Sequence, residues 1–325
     1  REARSDEMGG NIIVRALGGD ITLIGNTTSA DNDGYAMIGN GGHAANTAQG
    51  LFGDITVEAS GAISATGGSG QGNFVQIGNG GRSTRAGITN GHRGDIDVKA
   101  GTGISFIAGT YGVTGNDTDG FNYAQIGHGG YDADASNNND YIAGVGHRGD
   151  IRVISTAGNI TFQGGDITQG SAGLGEGREN YAMLGHGGTR NRGDHSGAIE
   201  VEATDGSVVF NGGHTIDNSS DVMNFAHLGH GGAGAHWGSS VGGNVGGALS
   251  ADSVGGTLGL ADGIKVTAGN AVNFTGGAGR RSYAMIGLGG YEYRTGVAAG
   301  DVGHTGDISV TAGAGGINFR GGITR

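Results

Sequence analysis

The chain has 325 residues, of which 78 are Gly, with no Pro, no Cys and a formal net charge of −12. Collagen is excluded, because it needs Pro and a strict Gly-X-Y period, and the lack of Cys excludes disulfides and thiolate metal sites. The acidic balance, with Lys99 and Lys265 the only lysines, argues against nucleic acid or anionic lipid as a partner, and no apolar run approaches the roughly 18 residues of a membrane helix.

Three short motifs recur in a fixed order. The first alternates apolar and polar residues behind a Gly, as in Gly53-Asp54-Ile55-Thr56-Val57-Glu58-Ala59. Its copies begin at Ile12, Ile96, Ile151, Ile199, Ile264 and Ile308. The second follows eight or nine residues later, as in Asn159-Ile160-Thr161-Phe162-Gln163-Gly164-Gly165. Its copies centre on Ile21-Leu23, Ile63-Ala65, Ile104-Phe106, Val208-Phe210, Val272-Phe274 and Ile317-Phe319. Period-two alternation of Ile, Val, Thr and Phe predicts half-buried β-strands for both. The third motif is an octet, Tyr123-Ala124-Gln125-Ile126-Gly127-His128-Gly129-Gly130, with copies starting at Tyr35, Phe74, Tyr181, Phe225 and Tyr283.

From Ile to Ile in the first motif, successive units measure 43, 41, 55, 48, 65 and 44 residues. A constant core with inserts rich in Asn, Asp, Ser and Gly explains the spread, and such residues belong in loops. No segment keeps a 3.6-residue apolar period, so almost no helix is predicted. About seven irregular three-strand units point to an all-β fold, a parallel β-helix or β-solenoid, in which each unit stacks on the last. The whole chain, 1–325, reads as one solenoid domain with a long loop insertion at about 233–263. One isolated unit cannot bury its own apolar face. The octet glycines are expected at a corner where a side chain would strike the neighbouring coil.

Within the octet, Ala124, Ile126 and His128 share one side. The last position reads Asn40, Asn79, His128, His186, His230, Leu288 through the six copies. In register these form a ladder of hydrogen-bonded polar side chains. Three aligned imidazoles also suggest a metal, but zinc takes about four ligands converging on a point, and Asn40, Asn79 and Leu288 break the set. The aromatics Tyr35, Phe74, Tyr123, Tyr181, Phe225 and Tyr283 predict a second, stacked ladder. A sugar-binding strip is the alternative and requires rings that face solvent.

Arg-Gly-Asp occurs at 93–95, 148–150 and 192–194 and raises integrin binding, although Gly-Asp belongs to the repeat itself. Asp132, Asp134 and Asp140, with Asp117 and Asp119, supply oxygen ligands as a calcium loop does, without the central Gly and terminal Glu of the EF-hand. No other cofactor is suggested. Asn-x-Ser/Thr sequons at Asn26, Asn116 and Asn218 fall in loops, and those at Asn159 and Asn273 fall in the second strand. Trp237, the one tryptophan, lies in the longest insertion and marks a possible recognition loop. No group of carboxylates with a basic partner stands out, and no enzymatic activity is expected.

Together the repeated Gly-Asp-Ile-x-Val-x-Ala, Gly-x-Ile-x-Phe-x-Gly-Gly and Tyr-Ala-x-Ile-Gly-His-Gly-Gly patterns resemble the repeat regions of bacterial filamentous-haemagglutinin-like exoproteins of two-partner secretion systems. The resemblance covers essentially the whole chain. It implies a right-handed parallel β-helix, export through an outer-membrane partner, and display on the cell surface or release as a fibre. No signal peptide is visible at Arg1-Glu2-Ala3-Arg4, so a targeting segment is expected outside these residues. The pattern starts and stops mid-repeat, which suggests a stretch of a longer protein or subunits stacking end to end. The expected function is a structural fibre or adhesin stalk that self-associates and meets host or neighbour-cell glycans. The alternative is a carbohydrate-binding or polysaccharide-cleaving β-helix.

Overall fold

A computed structural model describes residues 8–28, 32–45, 47, 50–84, 91–110, 120–133, 145–167, 179–191, 193–215, 223–233, 258–279, 281–291 and 306–323. Their regular structure is all strand. The three motifs become three parallel sheets, and every strand pairs with the same strand of the next unit. Each unit therefore makes one coil, and the fold is a parallel β-solenoid.

The first sheet holds Ile12–Ala16, Ile55–Ala59, Ile96–Ala100, Ile151–Ser155, Ile199–Ala203, Ile264–Ala268 and Ile308–Ala312 in chain order. The second holds Ile21–Ile24, Ala62–Thr66, Gly103–Ile107, Ile160–Gln163, Val208–Asn211, Ala271–Thr275 and Gly316–Arg320. The third holds the octet strands Ala36–Ile38, Val75–Ile77, Ala124–Ile126, Ala182–Leu184, Ala226–Leu228 and Ala284–Ile286. Register is unbroken: Ile55 pairs Ile96, Ile96 pairs Ile151, and Ile151 pairs Ile199.

Because pairing is in register, the inward residues stack into columns of like side chains. The first sheet contributes Ile, Val and Ala columns, and Ser155, the exception in the last, donates its hydroxyl to Gly158 O at 2.9 Å. The second sheet contributes a Phe column, with Phe106, Phe162, Phe210, Phe274 and Phe319 stacked at centroid spacings of 5.3, 4.8, 5.0 and 5.1 Å. One coil carries Ala65 in place of Phe, and the same coil carries Val75 where most octets have Ala. Apart from Ser155 and Phe319, the inward residues named here belong to one core cluster. In the last coil Ile308, Ile317 and Phe319 are exposed, with no further coil over them among the described residues.

The outward faces differ. On the first sheet, the column Asp97, Arg152, Glu200, Lys265 alternates in sign, with Arg152 Nη2 2.7 Å from Asp97 Oδ2 and Lys265 Nζ 2.9 Å from Glu200 Oε1. On the second sheet, one outward column runs Thr22, Ser64, Ser105, Thr161, Val209, Asn273. The other runs Ile24, Thr66, Ile107, Gln163, Asn211, Thr275. The outer side of the third sheet is covered. A second apolar cluster there joins the octet aromatics to Phe121, Tyr131, Met183, Met223 and Ala233, which flank the octets or sit at their middle position.

Candidate functional site

The polar columns at the two ends of the octet are the most distinctive chemistry of the chain. The octet glycines create the first corner. Gly127, Gly129 and Gly130 have φ of 149°, 104° and 137°. A Cβ on Gly127 would fall on the Gly185 carbonyl oxygen of the next coil, and one on Gly130 would fall on that of Gly81 in the previous coil. Stacked backbone thus approaches closely, and the intervening side chains are held in a narrow, buried seam.

In that seam each Asn or His clamps two coils. The backbone N–H groups of Asn79, His128 and His186 donate to Nδ1 of His128, His186 and His230, at 2.9, 3.0 and 3.0 Å. Nε2–H of the same three rings donates to the carbonyls of Gly94, Gly149 and Gly197, at 2.7, 2.8 and 2.9 Å. Asn79 makes the same bridge: Oδ1 accepts from Asn40 N at 3.0 Å, and Nδ2 donates to Gly53 O at 3.0 Å. Asn40 Nδ2 reaches Gly10 O at 3.1 Å. Asn and His are interchangeable here because each presents an acceptor and a donor at matching reach. Leu288 stands in the same column but packs against the apolar core. The rings are stacked at 4.7 and 4.8 Å.

This geometry fixes each ring as the neutral Nε2–H tautomer, with both nitrogens committed to backbone. Burial pushes His128 down to about 3 and His230 down to about 4, and holds His186 well below the ordinary imidazole range. No lone pair in these three rings is left for a metal. Among the described residues, no group of three or more His, Asp or Glu is arranged to hold one.

A second imidazole column, not anticipated from the sequence, runs beside the first. The backbone N–H groups of Leu51, His92 and His147 donate to Nδ1 of His92, His147 and His195, at 3.1, 3.0 and 3.1 Å. These rings also stack, at 4.7 and 4.8 Å. His92 Nε2 lies 3.2 Å from Thr84 Oγ1, and His147 Nε2 lies 2.8 Å from Ala133 O. Burial pushes His147 down to about 4 and His92 and His195 well below their usual value, and neighbouring imidazoles push the latter two further. The sequence signal is Gly-His-x-Gly-Asp, at 91–95 and 146–150; His195 departs from it, in Asp194-His195-Ser196-Gly197-Ala198.

Two further columns complete the lattice. Asn73, Asn122 and Asn180, each just before an octet aromatic, accept from the backbone N–H of Gly34, Asn73 and Asn122 at 2.6, 2.8 and 2.9 Å. Asn11, Asp54, Asp95 and Asp150 point the other way along the axis. Each accepts from the residue one coil on: Asp54, Asp95, Asp150 and Ala198, at 2.9, 3.0, 2.9 and 2.9 Å. Asp95 and Asp150 are almost fully buried. Their carboxylates, the acidic ends of the first two Arg-Gly-Asp sequences, are buried against the backbone of the next coil and so are not offered to a receptor. Arg192 of the third lies outside the described residues.

The aromatic column stacks at 4.7, 4.7, 5.0, 5.0 and 4.9 Å from Tyr35 through Tyr283. Phe74, Tyr123, Tyr181 and Phe225 are wholly buried, so they offer no ring to a sugar, and only Tyr35, in the first coil, is exposed. Tyr123 and Tyr181 hydroxyls donate to Gln76 and Gln125 Oε1 at 3.2 and 3.4 Å.

Of the calcium candidates, Asp132 lies in a turn with φ of 50°, its N–H bonded to Thr189 O at 2.9 Å. Asp117, Asp119, Asp134 and Asp140 lie outside the described residues, as does Trp237. A cavity of about 290 Å³ sits in the first coil, lined by Met8, Gly9, Asn40, Gly41, Ala45, Thr47 and Leu51. Its lining includes no carboxylate, imidazole or amine.

No family model matches the chain, and neither a curated protein nor a solved structure matches it.

Proposed function

We propose that the chain is a structural β-solenoid, a stretch of a secreted bacterial surface fibre or adhesin stalk that continues end to end by the same coil stacking. The observation that carries this reading is the arrangement of the chemistry-bearing side chains. The imidazoles, amides and buried carboxylates of the four columns bond to the backbone of an adjoining coil, so they hold coils together instead of facing a substrate. Among the described residues, the outermost strands of the first sheet, Ile12–Ala16 and Ile308–Ala312, each have one edge without a partner strand. A free edge of a parallel sheet is a template for another strand, whether from a further unit or a second copy. The resemblance to filamentous-haemagglutinin-like exoproteins, and a chain free of Cys, support export and an extracellular setting. Contacts of such a stalk with glycans would fall to the inserts between the strand motifs.

The test is electron microscopy of the purified chain together with fibre diffraction. Filaments with a meridional spacing of about 4.8 Å along their length are expected. Particles that stay single and globular at every concentration would overturn the end-to-end reading. The rival reading, carbohydrate binding or cleavage, requires exposed rings or carboxylates grouped in a groove, whereas four of the six octet rings are sealed beneath the flanking segments.

A further inference from the structure

We propose that the outward face of the second sheet is a lateral docking surface for a second copy of this chain, pairing two solenoids side by side. This goes beyond end-to-end stacking and does not rest on it.

The face differs from the others in charge. Its two outward columns, from Thr22 to Asn273 and from Ile24 to Thr275, hold no acidic or basic side chain over six coils, and the seventh coil ends them with Asn318 and the cation Arg320. The first sheet places charges at the same depth, at Asp97, Arg152, Glu200 and Lys265. In a chain of net charge −12, the uncharged face is where two like copies approach without placing charge against charge.

Its polar groups are also partly satisfied within the face. Ser64 Oγ donates to Thr22 Oγ1 at 3.2 Å, Gln163 Nε2 to Gly164 O at 3.1 Å, and Asn318 Nδ2 to Asn273 Oδ1 at 2.9 Å. Covering groups already bonded costs far less than covering free ones. Ile24 and Ile107, 58% and 38% exposed, and half-buried Val209 supply the apolar contact.

Area sets the strength. The six uncharged coils span five gaps of about 4.8 Å, and strands of five residues at about 3.3 Å each give a face of roughly 400 Å². Two copies then bury roughly 800 Å² in total, just under the size of a specific interface. Pairing of single chains is therefore weak, and it grows with the number of coils in register. Like sheets face each other at a separation of about 10 Å around a two-fold axis.

The experiment combines sedimentation over a concentration series with small-angle scattering of the full chain. Lateral pairing doubles the cross-section at constant length, whereas end-to-end stacking lengthens the particle at constant cross-section, so the two readings fail separately. The double variant Ser105→Lys with Val209→Lys is expected to weaken lateral pairing at least about tenfold. The corresponding Ser105→Asp with Val209→Asp variant should do the same, and an equimolar mixture of the two should restore pairing. That restoration also shows both variants to be folded. Thr56→Lys with Thr267→Lys, outward on the first sheet, changes net charge equally and should leave pairing intact. A cross-section that never doubles, a dilysine variant that pairs like the parent, or equal loss in the first-sheet control would each overturn the proposal.

Discussion

At the scale of single residues, the imidazole columns decide how the chain responds to acid. Each ring of the octet column uses Nδ1 as an acceptor, so a proton added there removes a bond between coils. The folded values of about 3 to 4 for His128, His147 and His230 lie below the unfolded value of 6.5. Below 6.5 the unfolded chain therefore binds protons that the folded chain refuses, and stability, complete above that pH, is lost as pH falls. Each such ring contributes a loss of about 1.4 kcal/mol per pH unit. Urea midpoints measured from pH 7.5 to pH 4.5 should fall steeply below about 6.5; a flat profile would show the rings to be charged or exposed. Substitution separates the clamp from mere bulk. His186→Asn keeps an acceptor and a donor, as Asn79 does, and should cost below about 1 kcal/mol. His186→Leu strands the His128 N–H and the Gly149 carbonyl and should cost about 2–5 kcal/mol, since each buried unpaired group costs about 1–3. Chemical denaturation of both variants at pH 7.5 checks the difference.

The octet column was legible because Ala124, Ile126 and His128 sit two apart in every copy, which is all that a strand needs. The His92, His147 and His195 column was hidden by inserts of unequal length before it. Its Gly-Asp neighbours also read as part of the next strand.

At the scale of elements, strand identity followed from alternation alone, whereas the outer cover of the third sheet did not. Tyr123 and Gln125 alternate with Ala124 and Ile126 and so pointed away from the axis. Their burial depends on Tyr131 and neighbouring segments folding back over them, and no periodicity encodes that. The corner glycines carry the sharpest prediction of this scale. Gly127→Ala places a Cβ on the Gly185 carbonyl at a φ that L residues rarely adopt, and should cost about 3 kcal/mol or more by strain and overpacking together. Gly10, with no neighbour near its Cβ position, is the control expected to tolerate Ala. Thermal unfolding of the pair tests this. The Asp97–Arg152 pair is mostly buried and makes two hydrogen bonds, at 2.9 and 2.7 Å; Lys99 Nζ, 2.9 Å from the same carboxylate, keeps Asp97 paired when Arg152 is removed, so Arg152→Ala should cost about 1–3 kcal/mol.

At the scale of the whole molecule, each coil touches chiefly the coils on either side, so stability accumulates along the axis. Whether a unit makes one coil or two was not decidable from spacing, because the inserts blur the period. It is decided by strand pairing, Ile55 with Ile96 and Ile96 with Ile151. A fragment holding a single unit, such as 55–95, should show no cooperative unfolding by circular dichroism, while the full chain unfolds cooperatively.

The forward-reaching acidic column has a consequence for how such chains change length. Asp54 holds the Asp95 N–H, Asp95 holds that of Asp150, and Asp150 holds that of Ala198. The splice points at Asn11, Asp54, Asp95 and Asp150 therefore offer the same hook and the same eye, whereas Ala198 and Gly263 in the next coils carry no hook. Removing 96–150 would join Asp95 to Ile151 and bring Asp95 to the Ala198 N–H, His92 to His195, and Phe74 to Tyr181, each a pairing of types already seen elsewhere in the stack. Whole turns cut between such points can be gained or lost without a misfit at the seam, so the reach of the protein can drift while its cross-section stays fixed.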